Sequence, residues 1–128
     1  MTVERPRVLS LSRALDRIED RYAPRLLVEL NGQHVKVVKL EGPFVWHQHA
    51  EQDELFLVIE GSLRIELRDG ELALGPGELV VIPRGVEHRP VADAGVCSVL
   101  LFEPAGTINT GDADDPRRVD RLERADGD

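Results

Sequence analysis

The chain has 128 residues, of which 41% are hydrophobic and nearly all of those aliphatic, enough for one packed core and too little for two. Its formal charge of −8, from 24 acids against 16 lysines and arginines, argues against nucleic acid or an anionic membrane as partner, since both are recognised through clustered cations. No apolar run approaches the roughly 18 residues needed to span a bilayer, and the amino end lacks the succession of a signal peptide, so a cytoplasmic location is expected.

Residues 1–9 read as a proline-interrupted lead, either irregular or a short edge strand. From Ser10 or Ser12 onward the spacing of Leu11, Ala14, Leu15, Ile18 and Tyr22 predicts a short amphipathic helix, with Arg13, Asp16, Arg17, Glu19, Asp20 and Arg21 facing water and Pro24 beyond its end. It is expected to lie on the outside of the domain. Leu26 to Leu30 and Val35 to Leu40 are strand-like and are joined through Asn31-Gly32, a pair that admits positive φ at both central positions of a tight hairpin. His34, beside that turn, is expected on the surface.

Gly42-Pro43 redirects the chain into Phe44 to His49. In an extended chain residues i and i+2 share a face, about 6–7 Å apart, so the imidazoles of His47 and His49 can meet one ion. Val45 shares that face, and Phe44, Trp46 and Gln48 point the other way, which places Trp46 under the helix or in a subunit contact rather than on a substrate. After a turn containing Glu51 and Asp53, Glu54 opens a second strand and can return its carboxylate to the two histidines. In that strand Glu54, Phe56 and Val58 alternate with Leu55, Leu57 and Ile59, so both faces are apolar and both must be covered.

Ser62 to Leu67 alternates with Leu63, Ile65 and Leu67 inward, and Asp69-Gly70 turns the chain into Glu71 to Leu74. Leu79 to Ile82 follows Gly75-Pro76-Gly77, and Pro83-Arg84-Gly85 swings the chain back so that His88 starts another strand. The last core strand is Val96 to Phe102, with the chain's one cysteine, Cys97, read as a buried, inert thiol. About eight short strands with frequent turns and no crossover helices predict an all-β protein, an antiparallel jelly roll (double-stranded β-helix) with one short N-terminal helix. Residues 103–112 read as a loop along the barrel or a rim of its pocket. Residues 113–128, dense in Asp and Arg, are expected to fray unless a partner subunit holds them. The expected organisation is an N-terminal extension over 1–25, a barrel over 26–112 and a polar tail over 113–128.

The residues quoted fall into two runs. The first is Gly42, four residues, His47-Gln48-His49, four residues, Glu54, six residues, Gly61; the second is Gly77, five residues, Pro83-Arg84-Gly85, two residues, His88. Together they resemble the two motifs of a single-domain cupin, in which three histidines and a glutamate meet inside a small barrel. Two positions depart from that pattern: the first glycine stands four rather than five residues before the histidine pair, and Ala92 replaces an asparagine common after the last histidine.

The resemblance implies that His47, His49, Glu54 and His88 hold one divalent transition metal (Fe, Mn, Ni, Co, Cu or Zn), a set that suits three imidazoles and a carboxylate better than it suits calcium or magnesium. Val45, Phe56, Val58, Leu63 and Ile65, with Leu79 and Val81 as further candidates, would form an apolar wall around a small organic ligand. Gln48, Glu51, Asp53, Arg84 and Glu87 read as turn or surface residues, so no catalytic acid or base is assigned. The expected function is a metal-dependent enzyme acting on a small oxygenated molecule, by oxidation, isomerisation or decarboxylation. The alternative is a barrel that binds or senses a small ligand without converting it. A sugar-phosphate isomerase relative is disfavoured by the lack of inward Lys and Arg to hold a phosphate. The doubly apolar strand 55–59 and Trp46 lead to an expected homodimer.

Overall fold

The framework is an antiparallel ribbon of two long strands, β2 (Gln33–Pro43) and β7 (His88–Pro104), paired from Gln33↔Pro104 to Pro43↔Val91 in a computed structural model that describes residues 5–125. The ribbon belongs to two layers. Its Pro104 end pairs through β7 with β3 (Glu54–Glu60), which carries β6 (Leu79–Ile82); its His88 end pairs through β7 with β4 (Leu63–Leu67), which carries β5 (Gly70–Leu74). Gly95, at φ 107°, and a register shift between Leu40 and Gly42 mark where the ribbon passes from one layer to the other. β1 (Arg25–Leu30) flanks β2, and the short β8 (Glu123–Arg124) runs parallel to β1. This arrangement fits the expected jelly roll. The strands expected at His88 and at Val96 to Phe102 are one 17-residue strand bent at Gly95.

The hairpin between β1 and β2 turns at Asn31 (φ 50°) and Gly32 (φ 77°), as the Asn-Gly pair predicts. The next hairpin turns one residue earlier than expected: Gly70 pairs with Leu67, so Arg68 and Asp69 form the turn. The helix α1 (Leu11–Asp16) is shorter than its apolar stripe. Ser10 caps it by accepting from the Arg13 N–H, but the N–H groups of Arg17 and Ile18 already bond three residues back, to Ala14 and Leu15, and the helix tightens and ends. Ala14, Leu15 and Ile18 still pack with Leu27 and Val37 on the outer face of the sheet. Tyr22 does not join them. Its backbone is at φ 58° and its ring turns into the interior.

The interior between the layers contains Val38 and Leu40 of β2, Phe56 and Val58 of β3, Leu63 and Ile65 of β4, and Cys97, Val99 and Leu101 of β7. Leu79 and Val81, offered as wall residues by the sequence, are outward and exposed (60% and 49%), and Val80 and Ile82 point in. A run of four aliphatic residues has no phase of its own; pairing of Ile82 with Glu54 sets it. The described part of the tail is tied down rather than frayed: the Ala125 N–H bonds to the Leu26 carbonyl, and Arg117 reaches the Pro43 carbonyl with one nitrogen while Asp115 holds two others.

Candidate metal centre

The segment from Phe44 to His49 pairs with the start of β7, and its register is irregular in a way that builds the site. His47 and His88 exchange both backbone hydrogen bonds, at 3.0 and 2.9 Å, and the Phe44 N–H bonds to the Pro90 carbonyl at 2.9 Å. Val45 and Trp46 therefore stand together opposite the single residue Arg89, a β-bulge. In a regular strand Phe44 and His47 would face opposite ways; the extra residue turns both inward. Phe44, expected outward, is thus 7% exposed and lies edge-on to His47, with ring centroids 5.4 Å apart. Trp46 is half-buried, with the Arg68 guanidinium 3.8 Å over its ring.

His47, His49, Glu54 and His88 come together, with one donor atom from each lying within 4.8 Å of the others, and all four are at most 5% exposed. Two of the imidazoles are oriented by their own strands. The Nδ1–H of His47 donates to the Val45 carbonyl and that of His88 to the Val86 carbonyl, each at 2.9 Å, which fixes the tautomer and leaves Nε2 free as a ligand atom. Glu54 Oε1 is 3.4 Å from His49 Nε2 and 3.5 Å from His88 Nε2, and none of these three buried atoms has a hydrogen-bond partner. Each such atom left unpaired costs about 1–3 kcal/mol. A cation at their common centre would satisfy all three, so the donor set fits a divalent transition metal.

The electrostatics agree. Burial, then the neighbouring His88, lowers the His47 pKa to about 4, so this imidazole is neutral and able to ligate at ordinary pH. Burial works against ionisation of Glu54, but His49, His88 and Glu103 together hold its carboxyl well below the usual range.

Glu103 and Lys36 are inward groups that the sequence reading did not find. Glu103 stands opposite Glu54 in the β3–β7 register, since Leu55 pairs with Phe102, and it is 2% exposed. Burial and the Glu54 carboxylate push its own carboxyl well above the usual range. Lys36, 3% exposed, places Nζ 3.1 Å from Glu103 Oε1 and 3.3 Å from the Thr107 carbonyl. Once pairing fixes the phase of these strands, Glu103 continues the inward alternation of Cys97, Val99 and Leu101, and Lys36 that of Val38 and Leu40.

A cavity opens beside the cluster, lined by His47 and Glu54 and by Tyr22, Pro24, Val38, Leu40, Phe44, Phe56, Pro90, Leu101 and Asn109. Of the five wall residues expected from the sequence, Phe56 lines it. Val58, Leu63 and Ile65 lie in the core away from it, and Val45 is half-buried against that core. Tyr22 and Asn109 were not expected; Tyr22 was assigned to a helix, and Asn109 belongs to the 103–112 loop. That loop is bound to the ligand segment, because the Asp112 N–H reaches the Gln48 carbonyl and the Gln48 N–H reaches the Asp112 side chain.

The other polar residues of the two motifs act as braces. The Gly85 N–H bonds to the His49 carbonyl, Asp53 accepts from the Arg84 backbone and side chain, and Glu87 pairs with Arg68. His34 is less exposed than expected, its Nε2 lying 2.8 Å from Glu29 across the hairpin, and it stands outside the cluster.

Three comparisons with known proteins bear on the chain. A family profile described as "Cupin domain" matches residues 28–102. The crystal structure of a cupin-2 domain containing protein from Shewanella frigidimarina NCIMB 400 superposes with a TM-score of 0.74 at 42% identity, covering 76% of this chain and 94% of that one. Among curated sequences, the uncharacterized protein YdbB of Bacillus subtilis (strain 168) is 36% identical over 73 residues, 56% of this chain and 65% of its own length. An acireductone dioxygenase of Leishmania major is 35% identical over 111 residues, 70% of this chain and 32% of its own length. The chain thus spans less than two thirds of either curated relative.

Proposed function

This chain belongs to the cupin domain family, and from that membership we propose that it is a metal-dependent enzyme acting on a small oxygenated organic molecule. His47, His49, Glu54 and His88 would hold one divalent transition ion. The observation that carries the reading is the set of three buried, unpartnered donor atoms facing one another on Glu54, His49 and His88. When bound, such an ion acts as a Lewis acid or oxygen activator. The chain's own residues supply the rest: the aliphatic and aromatic wall excludes water, His47 and Glu54 meet the cavity directly, and the Lys36–Glu103 pair stands behind Glu54. The dioxygenase named among the relatives supports an oxygen-bearing substrate.

The alternative, a barrel that binds without converting, drew its support from a lack of inward acid or base, and Glu103 and Lys36 weaken that support. Metal analysis of His49→Ala and His88→Ala beside the parent, with oxygen uptake on a panel of enediols and hydroquinones, tests the proposal. Both variants should lose metal and turnover together. Stoichiometric metal or undiminished turnover in either would overturn it.

The assembly proposed is a homodimer. Leu55 pairs with Val81 and with Phe102, and Leu57 with Leu79 and with Leu100, so one outer face presents six apolar side chains, and among the described residues β6 pairs only with β3. With Leu79 at 60% and Val81 at 49% exposure, that face suits a second copy. A monomer by light scattering at micromolar concentration would refute it.

A further inference from the structure

The cavity that meets His47 and Glu54 holds about 30 Å³ of free space, little more than one water molecule needs. A ring the size of benzene is accommodated in roughly 150 Å³. A ligand of that size is fully enclosed here only if a wall residue moves aside. Val38, Leu40, Phe56, Pro90 and Leu101 belong to paired strands and are held in place. Tyr22 differs. It lies in the irregular segment between α1 and β1, and its φ of 58° is a left-handed backbone that costs a non-glycine residue about 1–2 kcal/mol. The strain is held by two backbone contacts, from the Tyr22 N–H to the Lys39 carbonyl at 2.8 Å and from Asn109 Nδ2 to the Tyr22 carbonyl at 3.2 Å. The backbone is thus pinned, so Tyr22 can leave the wall only by rotation of its ring, which is 5% exposed.

That ring lies flat on Phe44, with centroids 4.6 Å apart and planes 6° from parallel. Its hydroxyl donates to the Gly42 carbonyl. Phe44 thus already offers one face to a planar ring a short way from His47, on which its edge rests.

We propose that the face of Phe44 is the subsite for a planar, uncharged ring or conjugated system in the substrate, and that Tyr22 is a built-in occupant which such a ligand displaces. The inference rests on the reading of this cavity as the reaction chamber and adds the class of substrate it takes. Planarity follows from the parallel stack. Absence of charge follows from the lining, which contains no Lys or Arg. Arg117 lies over both rings, at 4.7 Å from Phe44 and 5.4 Å from Tyr22, but its Nε and Nη2 are held by Asp115 and its Nη1 by the Pro43 carbonyl. An anionic tail would find no free cation there.

The test measures binding of catechol, 3,4-dihydroxybenzoate and trans-cyclohexane-1,2-diol to the metal-free and the zinc-loaded protein by calorimetry. Catechol should bind at least about tenfold tighter than either the charged or the non-planar probe. Tyr22→Gly, which also relieves the left-handed strain, should bind catechol about tenfold tighter than the parent, because the competing ring is gone. Phe44→Leu should bind it about three- to tenfold more weakly, the worth of one aromatic stack.

Should Tyr22→Gly fail to fold, the parent protein decides. Saturating catechol should move the Tyr22 ring proton resonances from their stacked positions toward those of a free tyrosine. Weaker catechol binding by Tyr22→Gly, equal binding of the cyclic diol, or unmoved Tyr22 resonances would each overturn the inference. Zinc uptake is titrated separately: no zinc uptake with catechol still bound to the metal-free protein sinks the metal reading alone, and normal zinc uptake with no catechol binding sinks the ring subsite alone.

Discussion

Replacing Lys36 by Met keeps the length of the side chain and removes its ammonium from a place that is 3% exposed. Two acceptors then lose their donor, Glu103 Oε1 at 3.1 Å and the Thr107 carbonyl at 3.3 Å. At about 1–3 kcal/mol for each buried group left unpaired, less roughly 1 kcal/mol for the apolar atoms gained, the expected loss is about 3 kcal/mol. The loss stays at the lower end of the 3–5 kcal/mol found when a buried pair is broken, because burial and Glu54 already favour the protonated form of Glu103. Urea denaturation of metal-free protein at neutral pH, with a chelator present, gives the number.

The decisive comparison is the double variant Lys36→Met with Glu103→Leu. It removes both ends of the pair at once, leaves the Thr107 carbonyl as the acceptor still unpaired, and should cost about 1–2 kcal/mol less than Lys36→Met alone. Additive losses in the double variant, or a Lys36→Met cost below about 1 kcal/mol, would show that the two groups do not depend on each other and that the argument for a buried brace is mistaken.

Acid should weaken the metal-free protein through His47. Its folded pKa of about 4 lies below the unfolded 6.5, so the unfolded chain binds the proton first; the stability is fully present above 6.5 and is lost as pH falls toward 4, by about 3 kcal/mol at 1.36 kcal/mol per unit. A stability profile flat between pH 7 and 4.5 would contradict that assignment. At Gly111, φ is 55° and an added Cβ would sit 2.2 Å from the Gln48 carbonyl oxygen and 3.1 Å from His47 Cδ2, so Gly111→Ala should cost about 2–3 kcal/mol and weaken zinc binding by about tenfold or more. Thermal melts and a zinc titration check both numbers, and an unperturbed zinc affinity would mean that the loop does not position His47. Cys97 is 0% exposed, and burial pushes its thiol up to about 11, so a thiol reagent at neutral pH should label it only as fast as the chain unfolds globally. Rapid stoichiometric labelling of the native protein would disprove this.

The four residues of the cluster were legible in the sequence because each motif carries its own local logic: a histidine pair at strand spacing, a carboxylate opening the next strand, and a histidine after a Pro and Gly turn. Which residues surround them was less legible. Phe44 was given the wrong face because one extra residue, invisible in the pattern, shifts the alternation between it and His47. Tyr22 fell on a helical stripe whose helix ends at Asp16, and nothing local announces that the next aromatic turns inward. Lys36 and Glu103 sit in strands that are apolar on both faces, so alternation could not say which side was the interior until pairing fixed the phase. The same lack of phase misplaced Leu79 and Val81.

The two-against-one pairing of Val45 and Trp46 with Arg89 makes this stretch a place where the chain can shorten by one residue without changing which side chains face inward. Swapping either residue for another leaves the parity intact. Deleting one would leave a regular one-against-one ladder in which Phe44 and His47, now two positions apart, still share the inner face. Libraries that vary composition at these two positions, and single-codon deletions there, should therefore both yield folded proteins in which Phe44 and His47 face inward.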